Sequence, residues 1–372
     1  MDKDIIELIY NFSEQAKDEK WDLQEYKKNI IDVLLYVYSK TDFHPNIIDQ
    51  LICSIFPKYN INNRFDLKIN RSLHNKHIND LKRLLNIPKD SAQKSIEWKL
   101  KRHNHINASE ANSILGGSRK SLLINKSKPL NELQNTSGAA TEHGTIFEPI
   151  SNEIHSLKIN KKIYDFESIE HSVYKFIAAS PDGITEDGDL VEYKNPKTRQ
   201  IVGVPKSDYW VQMQFQMEVT NLSRCHFVEC NYNHYLCLED YGYSQDEFKG
   251  IIIEYFDLHQ KKHVIYSPLN LDTEESINWY NKEKEKIREN VSQEIHVDWS
   301  WWGLKKYSCF IVYRDKEWFR ETLPIFQEFW DEVIKCRNDP SLIPIHIKKE
   351  KNNPLVIIDD ICKIDYDDDN YI

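Results

Sequence analysis

Near residue 160 the hydrophobic period of this 372-residue chain changes, and no other feature narrows its fold as much. Up to Leu157 apolar residues recur at helical spacing. Beyond it come short runs rich in β-branched and aromatic residues, Lys162–Phe166, Val173–Ala179 and Leu190–Lys194, with turns predicted at Ser180–Gly183 and Glu186–Asp189. A helix is predicted over Ser207–Thr220, a buried strand over Cys225–Tyr232, and a strand pair at Gly250–Leu258 and His263–Tyr266. Helix, strands, helix, strand is the order of a mixed α/β core.

The flanks read differently. Residues 1–91 are expected to be a helical N-terminal extension. Apolar residues recur as Ile5, Ile6, Ile9, Phe12 and as Leu23, Tyr26, Ile30, Val33, Leu34, Val37, with further helices at Asp42–Phe56 and His74–Leu85. Residues 96–115 read as two helices, the second capped by Asn107 or Ser109. Residues 116–140 have loop composition, and Thr141–Leu157 reads as a helix that Pro149 kinks or opens. Helices are predicted again at Thr273–Val291 and Glu317–Cys336. The expected division is therefore a core at 92–270, a helical, aromatic-rich region at 271–358 and an acidic tail at 359–372.

Charge and cysteine usage exclude some classes. Net charge is −10, from 49 basic and 59 acidic residues, which disfavours a purely electrostatic nucleic-acid binder without excluding a nucleic-acid enzyme. The tail alone carries six Asp against one Lys, while residues 94–128 carry eight Lys or Arg against two Glu. The longest apolar run, VLLYVY at 33–38, is too short for a bilayer, and no secretory signal is expected, so the chain reads as having no membrane segment. Seven scattered cysteines without a CxxC pair point to an intracellular, reducing compartment.

Chemistry concentrates between residues 148 and 194. Asp182 lies in the turn of ASPDGI; ten residues on, Glu192 and Lys194 lie in LVEYKNP. Residues two apart on a strand share a face, and a hairpin sets Asp182 beside them. Two carboxylates can hold Mg²⁺ or Mn²⁺, which turns water into a nucleophile and offsets charge on a phosphate under attack. Lys194 can orient that water, and the Tyr193 backbone carbonyl, lying between the two side chains, is a further candidate ligand. The spacing alone recurs on many surface hairpins; the motifs around it are what make it specific.

Six motifs stand in order: WKLKRHNHINASEANSIL at 98–115, HGTIFEPI at 143–150, ASPDGI, LVEYKNP, YWVQMQFQMEV at 209–219 and CHFVECNY at 225–232. In this the chain resembles the lambda-exonuclease-type, or YqaJ-type viral recombinase, branch of the PD-(D/E)XK nucleases, over about residues 98–232. The resemblance implies an α/β, restriction-endonuclease-like mixed sheet flanked by helices, with helical N- and C-terminal additions. It implies Asp182 and Glu192 as metal ligands, Lys194 as the catalytic lysine, Glu148 as an additional acid for the metal or its water, and Gln212 as the active-site glutamine. Arg102 would grip a phosphate at the DNA end, with Ser109 and Ser180 as lesser phosphate contacts. Pro149 directly after Glu148, and His143 where relatives often carry an aromatic residue, depart from the family pattern.

The implied activity is Mg²⁺-dependent 5′→3′ exonuclease digestion of duplex DNA ends, leaving 3′ single strands for viral recombination, replication or repair. The implied partners are double-stranded DNA ends, a single-strand annealing protein and further copies of the chain, in the host cytoplasm at a viral replication site or in the virion. An endonuclease or flap nuclease on the same core, and a non-catalytic DNA-binding scaffold, are the alternatives. Bland readings compete elsewhere. Gln214 and Gln216 read as part of a half-buried amphipathic segment. Cys225, Cys230, His234 and Cys237 read as buried thiols rather than a zinc site. The aromatics Trp299, Trp301, Trp302, Trp318, Phe319, Phe326 and Trp330 read as core or interface.

Overall fold

The computed structural model describes residues 46–47, 50, 71–88, 95–129 and 139–344. The helices expected over the first 40 residues and the acidic tail at 359–372 lie outside these. In chain order the elements are α1 (Arg71–Leu85), α2 (Ile96–His103), β1 (Ile106–Asn107), α3 (Ala111–Leu115), α4 (Arg119–Ser127), α5 (Ala139–Ile159), β2 (Ile163–Tyr164), β3 (Ile169–Glu170), β4 (Ile177–Ala179), β5 (Gly183–Thr185), β6 (Leu190–Lys194), α6 (Ser207–Thr220), β7 (Arg224–Tyr235), α7 (Leu238–Tyr243), β8 (Lys249–Phe256), β9 (Lys262–Tyr266), α8 (Thr273–Asn290), β10 (Val297–Tyr313) and α9 (Lys316–Asn338).

Seven strands form one mixed sheet in the order β2-β5-β6-β7-β10-β8-β9; β1, β4 and β3 form a small second sheet. Only β6 and β7 run parallel in the large sheet, because α6 crosses over between them as a βαβ unit. The crossover lays α6 on one face, against Leu190, Phe227, Phe310 and Val312; α5 covers the other, against Val191, Tyr193 and Val228. The alternation of LVEYK thus splits one strand between two layers. The turn before β6 needs a glycine: Gly188 has φ +79°, and a Cβ there would meet His77 of α1 at 2.9 Å.

The mixed sheet flanked by helices is as expected, but of the strand read over Val173–Ala179 only Ile177–Ala179 forms, and two segments differ more deeply from their sequence reading. Residues 297–313, placed in a helical region, form β10, which sits inside the sheet between β7 and β8. A division at 270 therefore cuts through the sheet. The strand was hidden because its register shifts between Leu304 and Lys306, so apolar alternation breaks at mid-strand. The other is Arg119–Ser127, a helix inside a stretch read as loop. Its Leu123 and Ile124 are buried, and the buried Lys126 ammonium donates to the carbonyls of Arg102 and His105 at 2.6 and 2.7 Å and pairs with Glu110 at 2.9 Å.

Most of the C-terminal aromatics are core, although Trp299 is exposed and Trp330 is half-buried. Trp318, Phe319, Phe326 and Phe329 of α9 are buried with Trp210 and Phe215 of α6, and truncating a fully buried Phe of this kind costs about 3–5 kcal/mol. Asp315 caps α9 by accepting from the Trp318 amide, while its own amide donates to Gln214 Oε1 at 2.6 Å. Gln50 clasps the end of β10 through the Ile311 carbonyl and the Tyr313 amide, so this part of the N-terminal region docks on the sheet. No described helix is long and apolar enough to cross a membrane.

Candidate active site

The parallel pair β6–β7 exposes one edge of β6. Strand β5 pairs with it only at Leu190 and Val191, so the edge from Glu192 to Lys194 opens into a cleft. The cleft, of about 710 Å³, is lined by α2, α5, the β4–β5 turn, β6 and α6. That is room for a nucleotide rather than a lone ion.

Glu192 and Lys194 point to the α6 face, as their two-residue spacing predicts. Glu192 is 1% exposed. Its Oε1 accepts from Lys194 Nζ at 2.6 Å and Gln212 Nε2 at 2.7 Å, and its Oε2 accepts from Gln216 Nε2 at 2.8 Å. Gln212 and Gln216 lie one turn apart on the inner stripe of α6, which is why both reach the same carboxylate. Lys194 Nζ also donates to Gln212 Oε1 at 3.3 Å and lies 4.7 Å from the Tyr209 ring centroid. Burial opposes its charge, but Glu192 and Asp182 outweigh that and hold the ammonium protonated above its ordinary range.

Asp182 is in a different state. Among the described residues it accepts one hydrogen bond, from the Tyr193 amide to Oδ2 at 2.8 Å. Burial first, then the charges of Glu192 and Glu148, push its carboxyl well above the usual range. A strand residue turns its N–H and C=O toward the same edge, so the Tyr193 carbonyl opens on the space beside Asp182. Glu148 comes from α5 and lines the same cleft. Pro149 does not break that helix, which runs unbroken from Ala139 to Ile159; Pro149 only withholds an N–H from the Thr145 carbonyl, one turn back. Three carboxylates and a carbonyl, hard oxygens crowded until one carboxyl resists ionising, fit a divalent cation.

Three further lining residues are the predicted phosphate contacts. Arg102 stacks over Trp98, 4.8 Å from the ring centroid, and donates to Ser109 Oγ at 3.1 Å. The Ser180 hydroxyl is buried and has no partner among the described residues. All three line the same cleft as Asp182. The structure thus brings together Glu148, Asp182, Glu192, Tyr193, Lys194, Gln212, Arg102, Ser109 and Ser180.

Sequence reading missed four participants. Gln216 reads as amphipathic background in the sequence, yet it donates to Glu192 Oε2. Asn195 latches β6 to α5 by donating to the Gly144 carbonyl at 3.2 Å and accepting from Ser151 Oγ at 2.7 Å. Arg199 pairs with the buried Glu229 at 2.7 Å, on the strand next to Lys194. Tyr209 lies under the lysine. Gln216 alone had a signal, its four-residue spacing from Gln212. Cys225 and Cys230 are separately buried thiols, as expected, whereas Cys237 is half-buried and His234 exposed.

Residues 97–223 match the YqaJ-like viral recombinase domain family. Uncharacterized protein R354 of Acanthamoeba polyphaga mimivirus is 26% identical over 290 residues, which is 66% of this chain and 53% of that protein, so the chain spans about half the length of this curated relative. Among solved structures, the alkaline exonuclease LHK-Exo of Laribacter hongkongensis is 20% identical with TM-score 0.42, over 66% of this chain and 96% of that one. A phage related exonuclease from Haemophilus somnus 129PT is 15% identical with TM-score 0.37, over 64% and 98%.

Proposed function

We propose that this chain, whose residues 97–223 match the YqaJ-like viral recombinase domain family, is a metal-dependent deoxyribonuclease that digests duplex DNA from its ends in the 5′→3′ direction. One observation carries the reading. Asp182, Glu192 and Glu148 line one cleft together with Arg102, Ser109, Ser180 and Lys194. Carboxylates repel a phosphate unless a cation intervenes, so a cleft lined by both sets of residues is built for a metal and a phosphodiester together.

A bound divalent ion, Mg²⁺ with Mn²⁺ as substitute, supplies the charge that activates water and offsets the negative charge of the reacting phosphate. Asp182, Glu192, Glu148 and the Tyr193 carbonyl would hold it. The protonated Lys194, fixed on one side by Glu192 and Gln212, presents its remaining donors to the attacking water and the phosphate oxygens. Arg102 is already ordered by Trp98 and Ser109, so gripping a terminal phosphate costs it little further side-chain entropy. The products would be 3′ single strands, passed to a single-strand annealing protein during recombination, replication or repair of a viral genome in the host cytoplasm or virion. Further copies of the chain would enclose the duplex.

Strand-specific digestion tests this. Linear duplexes labelled at the 5′ or 3′ end, with and without a 5′ phosphate, are incubated with Mg²⁺ beside Lys194→Ala and Glu192→Ala. Release of 5′-terminal nucleotides by the native protein alone is the expected result. Cutting of closed circular DNA would replace the exonuclease with an endonuclease. Binding without products on linear, nicked, flapped or circular DNA, in Mg²⁺ or Mn²⁺, would leave only a scaffold.

A further inference from the structure

On the α5 face of the sheet, away from the cleft's carboxylates, three side chains unused by the proposed reaction converge: His155 of α5, His226 of β7 and Cys309 of β10. One nitrogen of each ring and the thiol sulfur all lie within 4.8 Å of one another, and His155 Nε2 is 3.0 Å from His226 Nδ1.

The outer nitrogens of both rings are already engaged. His226 Nε2 faces Asp189 Oδ2 at 3.4 Å, and Asp189 is itself gripped by Arg224 at 2.8 and 2.7 Å. A carboxylate accepts, so His226 carries its proton on Nε2 and aims the Nδ1 lone pair inward. His155 Nδ1 meets the Tyr307 hydroxyl at 2.7 Å. Carboxylate and hydroxyl partners behind two imidazoles are the outer shell that orients metal-ligating histidines.

We propose that His155, His226 and Cys309 form a site for one soft divalent cation, Zn²⁺ by ligand type, distinct from the carboxylate cleft. Two imidazoles and a thiolate are a zinc set, whereas the cleft offers only the hard oxygens that suit Mg²⁺. On binding, the Cys309 thiol loses its proton to solvent as the S–Zn bond forms. The His155 proton moves to Nδ1, where the Tyr307 oxygen accepts it, and water completes a fourth position. His155 lies seven residues, or two turns, beyond Glu148 on the same stripe of α5. An ion there would lock the register of α5 against β7 and β10 and so fix the height at which Glu148 meets the cleft.

The test uses the full chain carrying Glu192→Gln, so that zinc in the cleft is suppressed. After loading with Zn²⁺ and dialysis against metal-free buffer, about one zinc per chain is expected to remain. Adding Cys309→Ser or His226→Asn should weaken retention by at least about tenfold. Co²⁺ in place of Zn²⁺ should give a thiolate-to-cobalt charge-transfer band that disappears with Cys309→Ser. No such band in the chain with an intact Cys309, or equal zinc retention with and without the added substitutions, would overturn the site. The cobalt spectrum needs no cluster variant to fold, and none of these readouts depends on DNA cleavage.

Discussion

Helix α6 serves two carboxylate clusters, and they are balanced in opposite ways. On its inner stripe Gln212 and Gln216 hold Glu192 beside Asp182 and Glu148, with Lys194 as the cation nearest them. On its last turn Glu218 pairs with Arg314, whose Nε donates to Oε2 at 3.1 Å and whose Nη1 donates to Asn221 Oδ1 at 3.1 Å; His171 stands 3.7 Å from the other oxygen. Burial alone would raise the Glu218 carboxyl, but His171 and Arg314 outweigh it and pull it below the usual range. Asp182 is pushed the other way. Matched charge ties α6 to the β10–α9 junction. Unmatched negative charge, opening on a cleft, leaves room for a cation that is not part of the chain. A surplus of one sign, rather than the number of charges, separates the candidate site from the brace.

The widest separation between the clusters is expected in activity. Lys194→Ala should lower DNA cleavage by about 10³-fold or more, since it removes a donor aimed at developing charge. Arg314→Met should leave the turnover of the folded molecules within about twofold of native, because Arg314 does not line the cleft. Single-turnover assays at low temperature make the comparison, and equal losses in both variants would erase the distinction.

In stability the order reverses. Arg314→Met strands a half-buried carboxylate and should cost about 3–5 kcal/mol, read from the urea midpoint. Asp182→Asn should instead raise the melting temperature of the metal-free protein by about 2 °C, because it removes one of the mutually repelling carboxylates. It should also abolish the further rise that Mg²⁺ gives the native protein. A lower melting temperature in Asp182→Asn would mean that the cluster is already balanced without a metal.

Gln216→Leu sharpens the boundary inside the site. It strands Glu192 Oε2, so a loss of about 1–3 kcal/mol in stability is expected, with an activity loss much smaller than that of Lys194→Ala. The smallest effect concerns pH. Glu218 has a depressed folded-state pKa, so its contribution is present above the ordinary carboxylate range near 4.5 and is lost as pH falls through its lower folded value. Glu218→Gln should flatten the fall of the urea midpoint in that acidic window and leave the profile near neutral pH unchanged.

Much of this was legible in the sequence because it depends on local rules. LVEYK alternates, so Glu192 and Lys194 had to share a face, and Gln212 sits in a well-formed helical segment. Ser207–Thr220 and Leu190–Lys194 appear at the predicted boundaries. Gln216 escaped because polarity among apolar neighbours looks the same on a solvent face and around a buried carboxylate; only the crossover that lays α6 over β6 tells them apart. Strand β10 escaped because its bulge breaks the alternation by which strands are recognised.

The sequence by itself determined the acids, the lysine and the order of strands that carries them, since these follow from residue type and a period of two. Tertiary structure decided which charges are balanced. Asp182 and Glu218 are both carboxylates near helix or strand ends, and nothing local distinguishes them. Their difference arises from groups far away in sequence: Arg314 comes 96 residues after Glu218, whereas Asp182 faces two further acids across the junction of α5 and β6. Electrostatic energy depends on distance in space and on burial, and neither is set by spacing along the chain.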